Sequence, residues 1–140
     1  MLCTKRVIFL AVLLISSVRL AAQETKADSV ELAKTYVDVA KEVLAATRAE
    51  DQALENFELA ANLDPDNLYA NYEAGDLRLR TVGRSLAAKY FLRVLERDPE
   101  YNFAILYWIG RAYQYGEDFD KAIDFYNQYL AKVKAKPNYK

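Results

Sequence analysis

Leu106-Tyr107-Trp108-Ile109-Gly110-Arg111-Ala112-Tyr113, followed by Ala122-Ile123-Asp124-Phe125-Tyr126, decides the fold of this chain. Moving backwards by 34 to 35 residues, the same small and aromatic residues return. Gly75 precedes Ala87 as Gly110 precedes Ala122, by 12 residues each, and Ala87 leads to Phe91 as Ala122 leads to Tyr126. One period further back stand Ala53 and Phe57. Pro65 and Pro99 close the first two units, each inside an Asp-Pro break. Such a period marks stacked supersecondary units, none of which can bury its apolar faces alone.

Between the breaks, apolar residues recur at three- and four-residue steps, the signature of amphipathic helices. Val30, Ala33, Val37, Ala40 and Leu44 line the first, which the Asp28/Glu31 capping box would start and which runs to about Ala46. Thr47 to Asp51 reads as a turn, and a second helix carries Ala53, Leu54 and Phe57. Asp64-Pro65 ends it, because proline cannot continue a helix although it can open one. Further helices are predicted over 68–80, 86–97 and 102–115, and from Phe119 to before Pro137, with Asp118 as an N-cap. No stretch alternates with period two for long enough to make a strand. The expected architecture is all-α: six helices in three pairs, units of about 29–65, 66–99 and 100–137.

Glycine inside a helix costs about 0.5–1 kcal/mol relative to alanine. Gly75 and Gly110 are therefore expected where a partner helix comes close, with Ala87 and Ala122 as the small residues opposite. Phe57, Phe91 and Tyr126 are expected to fill the gaps between one pair and the next. The alternative is an ordinary helical bundle in which these are plain core positions.

The third unit, Leu106-x₂-Ile109-Gly110-x₂-Tyr113 with Ala122-x₃-Tyr126, resembles the tetratricopeptide repeat pattern W-x₂-L-G-x₂-Y…A-x₃-F…P. It departs in Leu106 for Trp, Tyr126 for Phe and a late Pro137. The second unit has Arg78 where Tyr is usual. The first keeps only its second helix, with Lys41 in the glycine position, so its first helix is expected to pack more loosely or to act as a cap. The resemblance implies a solenoid that binds proteins on a groove lined by the first helix of each pair. A narrower resemblance rests on Asn56 to Asn71, on Ala88-Lys89-Tyr90-Phe91-Leu92-Arg93-Val94 and on Ile109 to Gly116 with Phe119-Asp120. These are similar to a group of Bacteroidota envelope proteins, the PorE type of the type IX secretion system among them. In that group, signal peptide and repeats precede a WD40-like propeller and often an OmpA-like peptidoglycan-binding domain. It implies an N-terminal module of a longer protein, an expectation with which the lack of a polar capping helix after Pro137 agrees.

The N-terminus carries its own signal. Lys5 and Arg6 precede an apolar run, Val7 to Ile15, and Leu20-Ala21-Ala22-Gln23 offers a small-residue cleavage site. This reads as a secretory signal peptide over 1–22, with a flexible lead over 23–28, and the narrower resemblance implies a periplasmic, outer-membrane-associated destination. The alternative is an uncleaved anchor, but nine apolar residues fall short of the roughly 20 a spanning helix needs. Removing the leader removes Cys3, so the mature chain has neither Cys nor His. It also removes Lys5, Arg6 and Arg19, leaving sixteen basic against twenty acidic residues, a net charge of −4.

These residues argue against disulfides, thiolate or imidazole catalysis and most transition-metal sites. The net charge gives no general attraction for nucleic acid. No cofactor is expected and no enzyme. Glu117, Asp118 and Asp120 are carboxylates that could in principle do acid–base work, but they sit at a turn and helix start, where capping favours acids.

Counting from the glycines, the groove positions are Tyr69, Tyr72, Asp76 and Leu79 in unit two. In unit three they are Ala104, Tyr107, Arg111 and Gln114, and in unit one Thr35, Asp38, Glu42 and Ala45. Tyr and Arg often carry interface energy, so Tyr72, Tyr107 and Arg111 are candidates for holding a protein partner. The alternative is that the tyrosines pack between helices while Arg111 pairs with Asp76. Asp38, Glu42, Tyr72 and Asp76 have the wrong charge to clamp a C-terminal carboxylate. Eleven tyrosines also raise glycan stacking on Tyr107 and Trp108 as a rival use. Peptidoglycan is otherwise expected only through a downstream domain. Envelope or secretion components remain the expected partners.

Overall fold

The structure, a computed structural model, describes residues 2–135, with side chains from Thr25 onward. Its elements are α1 (Leu2–Thr47), α2 (Glu50–Leu63), α3 (Leu68–Arg80), a short 3-10 turn (Arg84–Leu86), α4 (Ala87–Arg97), α5 (Ile105–Tyr115) and α6 (Phe119–Lys134). Among the described residues there are six α-helices and no strand. Each helix packs on the one before it, which makes three hairpins, α1/α2, α3/α4 and α5/α6, stacked in chain order.

The Asp-Pro breaks fold twice in the same way. Asp64 Oδ1 accepts from the Asp66 N–H at 3.2 Å, and Asp98 Oδ1 accepts from the Glu100 N–H at 3.0 Å. The Asp64 and Asp98 carbonyls accept from Asn67 and Tyr101, closing the turn. Asn67 then caps α3, its side chain accepting from the Ala70 N–H at 2.9 Å. Each break is tied to the end of a later helix: Arg97 pairs with Asp66, and one period on Lys132 pairs with Glu100. Asp118 caps α6 as expected.

Two buried aromatic–alanine cores run through the stack. Ala33, Val37 and Ala40 of α1 meet Ala53, Leu54 and Phe57 of α2, and Ala70, Ala74 and Leu77 of α3 complete the first core. Phe91, Val94, Ile105 and Ile109 centre the second. Asn71 is fully buried between the hairpins. Its Nδ2 donates to the Pro65 and Asn67 carbonyls (3.1 and 2.8 Å) and its Oδ1 accepts from Arg93 at 3.3 Å. This satisfied amide locks the first Asp-Pro break to α4.

Several expectations are corrected. The lead over 23–28 is helical, and Asp28 lies inside α1 instead of capping it, because no Gly or Pro interrupts the chain before Pro65. Helices expected to start at Leu86 and Asn102 start at Ala87 and Ile105, after the 3-10 turn and after an Asn102 side chain that accepts from the Ala104 N–H at 2.8 Å. Phe91 and Tyr126 do not serve only between pairs: a Cβ on Gly75 would lie 2.9 Å from the Phe91 ring, and one on Gly110 would lie 2.7 Å from the Tyr126 ring. Each glycine makes room for the aromatic ring of its own hairpin. Phe57 meets Tyr69 of the next pair edge-on at 5.9 Å and also shares a core with Val37 of its own hairpin, as Phe91 shares one with Ile105 and Ile109 of the next. Without a glycine, α1 still approaches closely through Ala33 and Ala40, both 0% exposed, so it is not loosely packed there. Pro137 lies outside the described residues.

Candidate functional site

Open clefts lie between successive members of the series α1, α3 and α5, and five of the predicted groove residues line them: Asp38 and Tyr69 in one, Asp76, Leu79 and Arg111 in the other. The first, of about 320 Å³, is lined by Lys34, Val37, Asp38 and Lys41 of α1 with Asn67 and Tyr69. Lys41, which stands where the repeat has glycine, extends over the Tyr69 ring at 4.7 Å. The second, of about 400 Å³, lies between α3, the 3-10 turn and α5 and is lined by Asp76, Leu79, Arg80, Arg84, Trp108, Arg111 and Tyr115.

The tyrosines differ in what they leave accessible. Tyr69 is 39% exposed and faces its cleft. Tyr72 packs edge-on against Phe91 at 5.8 Å and tilted against Tyr101 at 5.4 Å, and its hydroxyl accepts from Asn102 Nδ2 at 2.8 Å. Tyr107 sits among Trp108, Tyr126 and Tyr129, with ring centroids 4.9 to 5.7 Å away. Tyr72 and Tyr107 are thus packing residues in this structure. Gln114 is exposed, and its Oε1 accepts from the Tyr126 hydroxyl at 2.7 Å.

Arg111 does not pair with Asp76. It donates to the Tyr115 hydroxyl at 2.6 Å, while Asp76 accepts from Arg80 at 2.7 Å, and Arg80 also reaches Glu50 at 2.8 Å. The register explains this: Arg80 is one helical turn from Asp76 on α3, as Tyr115 is from Arg111 on α5. The bond from Arg111, with the Arg84 charge nearby, holds the Tyr115 phenol below its ordinary pKa. Burial, and then Asp76, raises the Glu73 carboxyl above its usual value, and Arg80 and Lys41 oppose that rise. Asp118 is shifted the other way, lowered by its bond from Lys121.

Arg78, the departure from the repeat pattern, has a structural role. It pairs through Nε (3.0 Å) and Nη2 with Glu58 of α2, and Nη1 donates to the Val82 carbonyl at 3.1 Å. Burial first, and then the adjacent Glu58 carboxylate, push the Tyr90 phenol of α4 well above its ordinary pKa. Three helices therefore meet at one largely buried ion pair. Sequence reasoning missed Arg84, Tyr115 and Lys41 as cleft residues. Arg84 and Tyr115 fall in or beside turns, and Lys41 stands out only as a charge where the repeat has glycine.

Among the described residues no helix is long and apolar enough to cross a membrane. No curated protein matches the chain. Residues 103–131 match the tetratricopeptide repeat family. Among solved structures, that of MamA is similar, with a TM-score of 0.59 at 19% identity over 76% of this chain, which spans 61% of the length of that one. The matched segment holds Gly110, Ala122 and Tyr126, the residues whose contacts set the third hairpin. The family match thus falls on the third hairpin, and the described residues have the all-α fold of a tetratricopeptide solenoid.

Proposed function

We propose that this chain is an exported scaffold that holds protein partners on its α1–α3–α5 side, within a secretion, motility or envelope-anchoring assembly at the periplasmic face of an outer membrane. The carrying observation is the pair of open clefts between consecutive first helices, with Tyr69, Lys41, Trp108 and Arg111 at their walls. Exposed aromatic and guanidinium groups on a rigid helical frame suit recognition by shape, because little entropy is lost when they are covered. Tetratricopeptide scaffolds are generally non-enzymatic, and the proposed mechanism involves no cofactor. Export is supported by Lys5 and Arg6 ahead of the Val7–Ile15 run, and the narrower envelope setting by the resemblance of the repeat segments.

Two measurements test the reading. A photoreactive residue at position 69 should cross-link partner proteins in envelope fractions, and the same group at the exposed Glu96 on α4 should not. Cross-linking from position 96 alone would place the binding face on the other side of the stack. Blotting the endogenous protein, with N-terminal sequencing, should show a mature N-terminus at Gln23 in periplasmic or outer-membrane fractions. A product several-fold heavier than 16.0 kDa is expected for a module of a multidomain envelope protein. A product near the mass of the cleaved chain would leave a free-standing periplasmic adaptor. An intact N-terminus in the cytosol would sink the export reading.

A further inference from the structure

We propose that the cleft between α3, the 3-10 turn and α5 docks an acidic peptide segment of a protein partner, with its carboxylates taken by Arg84 and Arg111. The proposal rests on the scaffold reading and specifies the chemistry of its partner.

Three guanidiniums line this cleft, and only one of them is neutralised. Arg80 is held by Glu50 and Asp76 at 2.8 and 2.7 Å, and among the described residues Asp76 is the only acid on the cleft wall. Among the described residues, neither Arg84 nor Arg111 pairs with a carboxylate. Both converge on Tyr115 instead. Arg84 lies 4.8 Å from the ring centroid, and Arg111 lies 5.4 Å from it while donating to its hydroxyl. The phenol ring orients both planes and uses one of Arg111's five N–H donors. Two guanidiniums held in this way lose less freedom on binding a carboxylate than free side chains would, and their fork geometry favours bidentate contacts.

The rest of the wall argues for a peptide over a bare anion. Leu79 and Trp108 are half-buried beside the arginines and leave room for an apolar side chain next to the acid. A volume of about 400 Å³, open to solvent, fits a few side chains of an extended segment whose ends continue outward. Nucleic acid is the weaker fit, because the whole chain carries a net charge of −1 and two free guanidiniums neutralise few phosphates.

The test uses the full purified chain against a displayed library of random peptides. Enriched sequences should combine Asp or Glu with a neighbouring Leu, Phe, Tyr or Trp. Synthetic versions, acetylated and amidated so that only side-chain carboxylates remain, should lose affinity about tenfold or more with the Arg84→Ala/Arg111→Ala variant, and should weaken as salt is raised. Because both side chains reach solvent, that variant should melt like the parent. Arg84→Glu/Arg111→Glu should shift enrichment to Lys and Arg. Enrichment without an acidic bias, no enrichment, equal binding by the double variant, or tighter binding of a single-stranded oligonucleotide would each overturn the proposal. If enriched peptides instead depend on Lys41, tested with Lys41→Ala, the acidic site falls and the scaffold reading stands. The scaffold reading itself falls only if position 69 also cross-links nothing.

Discussion

At the scale of single residues, the two helix-interior glycines look equivalent in sequence, and their surroundings distinguish them. Alanine at either would gain about 0.5–1 kcal/mol of helix preference and bring a Cβ against an aromatic ring. At Gly75 that ring is Phe91, which is 0% exposed and closed in by the second core, so it cannot move aside. Overpacking should win there, and Gly75→Ala is expected to lower stability by about 1–3 kcal/mol in urea unfolding. At Gly110 the ring is Tyr126, bonded to Gln114 and packed on Tyr107, and the Cβ would also lie 3.2 Å from the Ala122 carbonyl oxygen, which cannot move aside, so Gly110→Ala should cost at least as much. A distinctly smaller loss at Gly110 would contradict this account. Asn71 makes the complementary case. Replacing it with leucine strands the Pro65 carbonyl and one Arg93 contact, while the Asn67 carbonyl keeps its bond from the backbone N–H of residue 71, and about 1–3 kcal/mol of destabilisation is expected in the same assay. Nothing in the repeat pattern marks this residue, since its partners come from the preceding turn and from a helix 22 positions on.

At the scale of elements, the helices were largely legible and their mutual fastenings were not. The bounds of α3 follow from the Asp-Pro break and the turn at Gly83, both local signals. The start of α1 does not follow, because no local breaker separates the leader from the first repeat helix. The role of Arg78 was equally hidden, as Glu58 lies 20 residues earlier and on another helix. That junction has a pH signature through Tyr90. Its phenol faces Glu58, Arg78 and Arg93, with Lys89 beside the ring, and burial dominates in raising its pKa. Tyr69, Tyr72, Tyr101 and Tyr126 are raised too, with burial first in each case. In the unfolded chain a tyrosine loses its proton around its ordinary value of 10.0, while the folded chain still holds it. Above that pH the unfolded state binds fewer protons, so stability falls as pH rises. Tyr115, lowered by Arg111, contributes in the opposite sense from an exposed position. Chemical denaturation at successive pH values from neutral upward should show stability level to about pH 10 and declining beyond it. Tyr90→Phe should decline less steeply. An identical slope in that variant would remove Tyr90 from the explanation.

At the scale of the whole molecule, the repeat makes one hairpin a control for another. Leu54 on α2, Ala88 on α4 and Ile123 on α6 each follow the repeat alanine by one residue, and Ala61, Leu95 and Leu130 follow it by eight. In the first two hairpins these positions are covered: Leu54 is 4% exposed, Ala88 8% and Ala61 0%, and Leu95 is half-buried against the second core. On α6 the same positions are open, with Ile123 57% and Leu130 46% exposed beside Phe119 at 58%. Periodicity shows which residues lie on this face, and only the stack shows which copies of the face are covered. Lysine at Leu54 would place a charge inside the first core, where desolvation has no compensating partner, and it should destabilise by more than about 2 kcal/mol. The same substitution at Ile123 keeps its charge in water and should change stability by less than about 0.5 kcal/mol. It should also raise solubility, because it places a charge among the exposed Phe119 and Leu130 side chains. Parallel urea titrations and concentration-dependent light scattering on Leu54→Lys and Ile123→Lys measure both effects. A large loss of stability at Ile123 would mean that α6 is covered in solution by another chain, and sedimentation of the parent protein would then have to show the corresponding oligomer.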